Sequence, residues 1–135
     1  MKQEIIISTD SELLDRDFIH GFISRSYWAE GRSIEEMNTC IANSLNFGVY
    51  SEGRQIGYAR VVSDTVQFAY IMDLFIDPEH RGNGHSKALM AYMLGSEELN
   101  RVKVWRLATK DAHSLYHLFG FQSLKHPGNM LELMR

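Results

Sequence analysis

The chain has 135 residues, 44% of them hydrophobic and 23% charged, a composition typical of a globular protein that fits one domain over residues 1–135. Its formal net charge of -3 offers no basic field for nucleic acid or a membrane surface. No apolar run approaches the roughly 20 residues of a membrane-spanning helix. One cysteine, Cys40, excludes an internal disulfide and favours a reducing, cytoplasmic location, and no spacing typical of a metal site occurs, so we expect no metal.

The first third of the chain predicts one strand and two helices. An isoleucine-rich run predicts a strand over residues 4–8, and apolar residues at helical spacing predict an amphipathic helix over 11–26. Ser33 and Glu36 have the spacing of a capping box, which predicts that a second helix begins there.

The rest of the chain alternates strands with helices. A hairpin is predicted from strands 47–50 and 55–62, followed by a long strand 66–77, a helix 86–94, a strand 102–108, a helix 111–119, a strand 121–124 and a further strand at 131–134. The order βααβββαβαβ(β) indicates an α/β (α+β) fold with a mixed central sheet and helices on both faces.

A bare, glycine-rich segment separates the long strand from its following helix. It reads Arg81-Gly82-Asn83-Gly84-His85-Ser86. The first amides of a helix lack internal partners and carry a partial positive charge, and glycines let an anion approach them. Arg81 and Lys87 add cations. The segment therefore indicates a phosphate site, or else a tight turn that binds nothing; it is neither a P-loop nor a dinucleotide fingerprint, because Lys87 stands where the third glycine would be.

Two motifs resemble those of one enzyme family. Arg81-x-x-Gly84-x-Ser86 resembles the Arg/Gln-x-x-Gly-x-Gly/Ala signature of the GCN5-related N-acetyltransferases (GNAT), and SLYHLFGF at 114–121 resembles that family's Leu-Tyr-x-x-x-Gly-Phe. DLFIDPEHRG at 73–82 is similar to its fourth strand and the exit into the pyrophosphate loop. The resemblance implies an acyl-CoA N-acyltransferase-like fold that moves an acetyl group from acetyl-CoA to an amine of a small molecule or peptide by direct attack on the thioester.

The resemblance also implies where acetyl-CoA binds. The cofactor would lie between the strands 66–77 and 102–108, with its pantetheine arm on the β backbone and its pyrophosphate on the loop amides. Ser86 stands where the family has Gly or Ala, and Thr109 where it often has Asn. The expected cofactor-binding residues are Leu74, Phe75, Ile76, Arg81, Gly82, Asn83, Gly84, His85, Ser86, Lys87 and Thr109.

Two residues are candidates for catalysis. Tyr116 matches the tyrosine that in relatives protonates the departing thiolate, and without the resemblance it would be interpreted as a core aromatic. Residues 102–105 offer no carboxylate for a general base, so Asp73, a carboxylate in an apolar strand, is the candidate base. Asp73 could equally be a hydrogen-bonded structural residue.

The sequence says less about where the amine acceptor binds. Tyr27 and Trp28, between the first two helices, are candidates for a substrate-binding lip or for a cap on the core. Glu30 and Arg32, in the same connection, could select the charge of the substrate, and the sequence does not decide between them. Two other functions stay open: a non-catalytic acyl-CoA-binding regulatory module, and a nucleotide or phosphate-ester binder. A homodimer is also open, since the last predicted strand could pair with a partner's edge.

Overall fold

A single mixed sheet forms the centre of the computed structural model, which describes residues 4–135. Its strands are β1 (Ile6–Ser8), β2 (Leu45–Ser51), β3 (Arg54–Ser63), β4 (Phe68–Ile76) and β5 (Val104–Arg106), in that spatial order. Neighbouring strands are antiparallel except β4 and β5, which are parallel. The predicted mixed sheet is confirmed.

Helices cover both faces of the sheet. They are α1 (Arg16–Ile23), α2 (Ile34–Ala42), α3 (His85–Leu94) and α4 (His113–His117). The α1 and α2 side chains form one core cluster with Tyr58 and Phe75, whereas α3 packs in a second cluster that includes Ala59. Because Tyr58 and Ala59 are successive residues of β3, the two clusters lie on opposite faces. Within the described residues no helix is long and apolar enough to cross a membrane.

The first helix is shorter than the sequence predicts. Residues 11–13 form a separate 3-10 turn, and α1 begins only at Arg16 because the Asp15 side chain caps it by accepting from the Phe18 amide at 3.0 Å. The predicted capping box of α2 is confirmed, with Glu36 N–H donating to Ser33 Oγ at 3.0 Å and Ser33 N–H donating to Glu36 Oε1 at 2.9 Å.

The end of the chain differs most from the predicted element order. Neither 121–124 nor 131–134 forms a strand, so the sheet has five strands. The C-terminal segment is apolar in sequence but Leu131 is 95% exposed, so it packs on no surface that would order it as a strand. The predicted strand 102–108 shortens to Val104–Arg106, and the predicted helix 111–119 to His113–His117. A homodimer through this segment stays a prediction.

Candidate active site

A fork between β4 and β5 creates the site. The two strands pair only from Phe68↔Val104 to Tyr70↔Arg106, while β4 continues to Ile76. The cause lies in a β-bulge, where Asp73 and Leu74 together occupy the register opposite Ala59 of β3. Asp73 has φ 56°, a left-handed conformation that aspartate tolerates better than the apolar residues around it. A bulge bends its strand, so β4 turns away from β5 and its edge is left open.

A cavity of about 690 Å³ occupies this fork. It joins the open edge of β4, the start of the glycine loop, the segment before α4 and the connection between α1 and α2. The predicted site residues that it brings together are Tyr27, Trp28, Asp73, Leu74, Phe75, Ile76, Arg81, Ser86, Thr109 and Tyr116. Among residues 4–135, no group of three or more His, Cys, Asp or Glu side chains is placed to hold a metal ion.

The glycine loop has a backbone that only glycine adopts readily. Gly82 has φ 83° and Gly84 has φ 79°, and a Cβ added at either would meet no atom within 4 Å. Gly84 is the N-cap of α3 and supplies no side-chain cap, so the first amides of the helix keep open space in front of them. Gly82, Asn83, Gly84 and Lys87 line a second depression of about 720 Å³ with Phe119. The loop therefore has the form that an anion-binding helix terminus requires.

Two loop side chains have structural roles. Arg81 is anchored to the end of β4, where its Nε donates to the Ile76 carbonyl at 3.0 Å. The His85 side chain is buried, which lowers its pKa, and it lines neither of the two depressions. The His85 side chain is therefore not placed for the predicted cofactor contact.

Tyr116 and Thr109 lie on the wall opposite β4. Tyr116 is buried at the cavity with its ring edge-on to Phe121. Burial, with smaller effects from Tyr27 and Asp111, raises the pKa of Tyr116, so its hydroxyl is protonated at neutral pH. Thr109 Oγ1 accepts from the Ala112 amide at 3.1 Å and can still donate its own proton.

Asp73 is the centre of a buried ion cluster. Its Oδ2 accepts from Arg60 Nε at 2.6 Å and from Arg32 Nη1 at 2.7 Å, and its Oδ1 accepts from Trp28 Nε1 at 2.9 Å. Burial alone would raise the pKa of Asp73, but the hydrogen bonds from Arg60, Arg32 and Trp28 outweigh it and hold the pKa below its ordinary value. This geometry favours the structural alternative over a general base, because a base needs a free lone pair and a higher pKa.

Arg60 was not predicted as a site residue, and Arg32 was named only as one of two residues that could select the charge of the substrate. A signal was present for Arg60, because an arginine inside the buried strand GYARVV needs a carboxylate partner. Nothing local identified the partner, since Arg60 and Asp73 are brought together by the pairing of β3 with β4.

Tyr27 and Trp28, the two residues predicted to bind the amine acceptor, face the cavity and do not only pack against the core. Both line the cavity, and Trp28 is 41% exposed although its indole N–H donates to Asp73. Tyr27 packs edge-on against Trp28, and its hydroxyl accepts from the Lys110 amide at 3.3 Å. Phe22, stacked on Phe75 with ring centroids 4.0 Å apart, completes an aromatic wall.

Comparisons with known proteins all find similarity to acetyltransferases. The acetyltransferase (GNAT) domain family matches residues 42–123. A crystal structure of a candidate GNAT acetyltransferase from Xanthomonas campestris pv. campestris is similar with a TM-score of 0.96 and 39% identity, covering 100% of this chain and 96% of that one. A candidate acetyltransferase of Gibberella zeae is 28% identical over 141 residues, covering 87% of this chain and 76% of that protein.

A more distant structure contains a ligand. A candidate acetyltransferase from Clostridium acetobutylicum, solved with acetyl-CoA, has a TM-score of 0.70 and 16% identity, covering 98% of this chain and 96% of that one. At 16% identity, the similarity to this structure shows a shared fold and nothing more.

Proposed function

Because the chain belongs to the GNAT acetyltransferase family, we propose that it transfers the acetyl group of acetyl-CoA to an amine of a small molecule or peptide. One observation carries the proposal: a single cavity joins the start of the glycine loop, the open edge of β4 and the buried Tyr116. A regulatory module that only bound acyl-CoA would need the first two features and would have no use for the third.

Acetyl-CoA would bind in one orientation, running from the glycine loop along the edge of β4 to Tyr116. Its pyrophosphate would be held by the amides from Gly82 to Lys87 at the start of α3, with Arg81 at the rim. Its pantetheine amides would bond the β4 backbone at Leu74–Ile76, as an added strand would, because β5 no longer pairs there. The thioester would then approach Tyr116.

The chemistry is addition followed by elimination. A neutral amine attacks the thioester carbonyl carbon, forming the C–N bond and losing its extra proton to water. The C–S bond then breaks, and the electron pair leaves on sulfur. Tyr116 donates its proton to that thiolate and regains one from solvent, giving free CoA and the N-acetylated amine. Positioning of the two substrates supplies much of the rate, since no covalent enzyme intermediate is needed.

Two measurements test the proposal in sequence. Calorimetric titration of the purified chain should show saturable binding of acetyl-CoA and none of ATP at equal concentration. Thiol release from acetyl-CoA should then depend on an added amine. Binding of ATP as well as acetyl-CoA would indicate a general phosphate site, and binding of acetyl-CoA without transfer to any amine would indicate a regulatory module.

A further inference from the structure

The acceptor end of the cavity contains an arginine that Asp73 does not fully neutralise. Two guanidinium groups, Arg32 and Arg60, share the single Asp73 carboxylate, so the cluster keeps one positive charge. The side chain of Asp73 is 0% exposed, that of Arg60 is 7% exposed and that of Arg32 is 16% exposed. Of these three side chains, that of Arg32 is therefore the most accessible to a ligand in the cavity, and Glu36, the other carboxylate that interacts electrostatically with Arg32, does not line it.

The guanidinium of Arg32 is positioned and still has donors to offer. Its Nη1 makes the bond to Asp73 and lies 3.5 Å from Met37 Sδ, and the backbone carbonyl of Arg32 lies 2.8 Å from His20 Nε2. A guanidinium has five N–H donors in a rigid plane, so those on Nε and Nη2 can bind a ligand. Such a planar fork matches the two oxygens of a carboxylate.

The other charges around the cavity do not reverse this sign. Three cations line it, Arg32, Arg81 and Lys110, against the two carboxylates Asp73 and Asp111. Asp73 is already bonded to arginines, and Lys110 lies over the Tyr27 ring with its ammonium 5.3 Å from the centroid. A polyamine would bring further ammonium groups to a lining that is positive overall, which Coulomb repulsion disfavours.

We propose that the acceptor is a small amine that also carries a carboxylate, as an amino acid does, and that Arg32 binds this carboxylate. This inference rests on the proposed function. The side chain of the acceptor lies against the aromatic wall of Phe22, Tyr27 and Trp28, so apolar amino acids are the favoured class. Arg32 then sets specificity, while Asp73 and Trp28 hold it in place.

Matched pairs of acceptors test the charge requirement. Thiol release is measured with leucine, methionine and phenylalanine, with the carboxamide of each, and with 2-phenylethylamine, O-phosphoethanolamine and spermidine. The kcat/KM for the free amino acids should exceed that for their carboxamides by about 10- to 100-fold, the effect of one charge-assisted hydrogen-bond pair. The carboxamides keep the shape of the amino acids and lose the negative charge, and because their amines are also less basic, rates are compared at equal concentrations of neutral amine.

Variants test whether Arg32 is the residue that binds the carboxylate of the acceptor. Arg32→Gln should lower kcat/KM for the amino acids by about the same 10- to 100-fold and leave the carboxamides nearly unchanged, so that the preference disappears. Arg32→Lys should restore part of it. Arg25→Gln, at an exposed arginine outside the cavity lining, is the matched control and should change neither rate. Unchanged acetyl-CoA affinity in Arg32→Gln would show that its fold is intact, since Asp73 keeps Arg60 and Trp28 as partners.

The outcomes separate this proposal from the proposed function. Transfer to spermidine, to O-phosphoethanolamine or to the carboxamides in preference to the amino acids would overturn the carboxylate requirement while leaving acetyl transfer intact. An amino-acid preference that survives in Arg32→Gln would overturn the role of Arg32. Absence of transfer to every amine would overturn the proposed function, and this proposal with it.

Discussion

Tyr116 offers the sharpest test at the scale of one residue. Tyr116→Phe keeps the buried ring and removes the hydroxyl, so we expect kcat to fall by about 100-fold or more while acetyl-CoA affinity is retained. Burial raises the pKa of Tyr116, so in the native protein the acid form should persist, and any loss of kcat from its ionisation should appear at higher pH than for an ordinary tyrosine. Steady-state kinetics across pH check both points. Tyr92→Phe, on α3 outside the cavity, is the control, and an unchanged kcat in Tyr116→Phe would remove the acid role.

Asp73 should contribute to stability in a pH-dependent way. Its folded pKa lies below the unfolded value, so its contribution is present above about pH 4 and is lost as pH falls through the folded pKa. Asp73→Asn tolerates the same positive φ but leaves the buried Arg60 and the half-buried Arg32 without their carboxylate, and it should lower the free energy of unfolding by about 3 kcal/mol at pH 7.

Urea unfolding at several pH values measures this effect. The gap between the wild type and Asp73→Asn should narrow as pH falls below about 4, where the unfolded aspartate becomes protonated. Asp17→Asn, at an exposed position in the first turn of α1, should show no comparable gap. A gap of equal size at all pH values would mean that the cluster is held by packing and not by the carboxylate charge.

Individual site residues differed in how well the sequence predicted them. The loop glycines were candidates from local chemistry, as a phosphate site or a tight turn, whereas Tyr116 became a candidate only through the resemblance of SLYHLFGF to the family motif. Arg32 could not be chosen over Glu30, because its contact with Asp73 spans 41 positions and depends on where the α1–α2 connection docks on β4. The same contact decides what Asp73 does, so its chemistry could not be derived from its own strand alone.

At the scale of an element, the glycine loop provides a test with a built-in control. Gly84 and Gly53 both have left-handed φ angles, 79° and 76°, and a Cβ at either position meets nothing within 4 Å. A valine at either should therefore bring a similar backbone strain of about 1 to 2 kcal/mol. Only Gly84→Val should abolish acetyl-CoA binding in calorimetry, because its side chain would occupy the space in front of the α3 amides. Equal losses of affinity in both variants would assign the effect to strain.

The bounds of a helix were predictable where residues close in sequence determine where it begins or ends. The capping box of α2 follows from side chains within a few residues, and the start of α3 from a glycine that adopts a left-handed conformation just before it. The break at Asp15 is also local, but the apolar period running through Leu14 concealed it. The two last predicted strands failed for another reason: apolar composition predicts a strand only where a sheet edge and a buried face receive it, and 131–135 are exposed along their whole length.

On the scale of the whole molecule, one irregularity in β4 organises both substrate sites. The bulge at Asp73 opens the edge toward β5 for the cofactor, and it buries the carboxylate that orients Arg32 and Trp28 on the acceptor side. The order of elements indicated that β4 and β5 were parallel neighbours. It could not indicate the bulge, since a positive φ at an aspartate is set by the register of β3 against β4.

Hydrogen exchange should distinguish the segments that contact the cofactor from the rest of the sheet. Beyond Tyr70, β4 has no strand partner on its β5 side, and the amides at the start of α3 have no side-chain cap. Saturating acetyl-CoA should therefore slow exchange most in peptides covering 71–76 and 82–88, and least in β2, which pairs with β3 along its length and with β1 over Gly48–Tyr50. Gly84→Val, given the same ligand, should show no slowing. Protection spread evenly over all strands would instead reflect global stabilisation by a ligand bound elsewhere, and would contradict the placement of the cofactor in the fork.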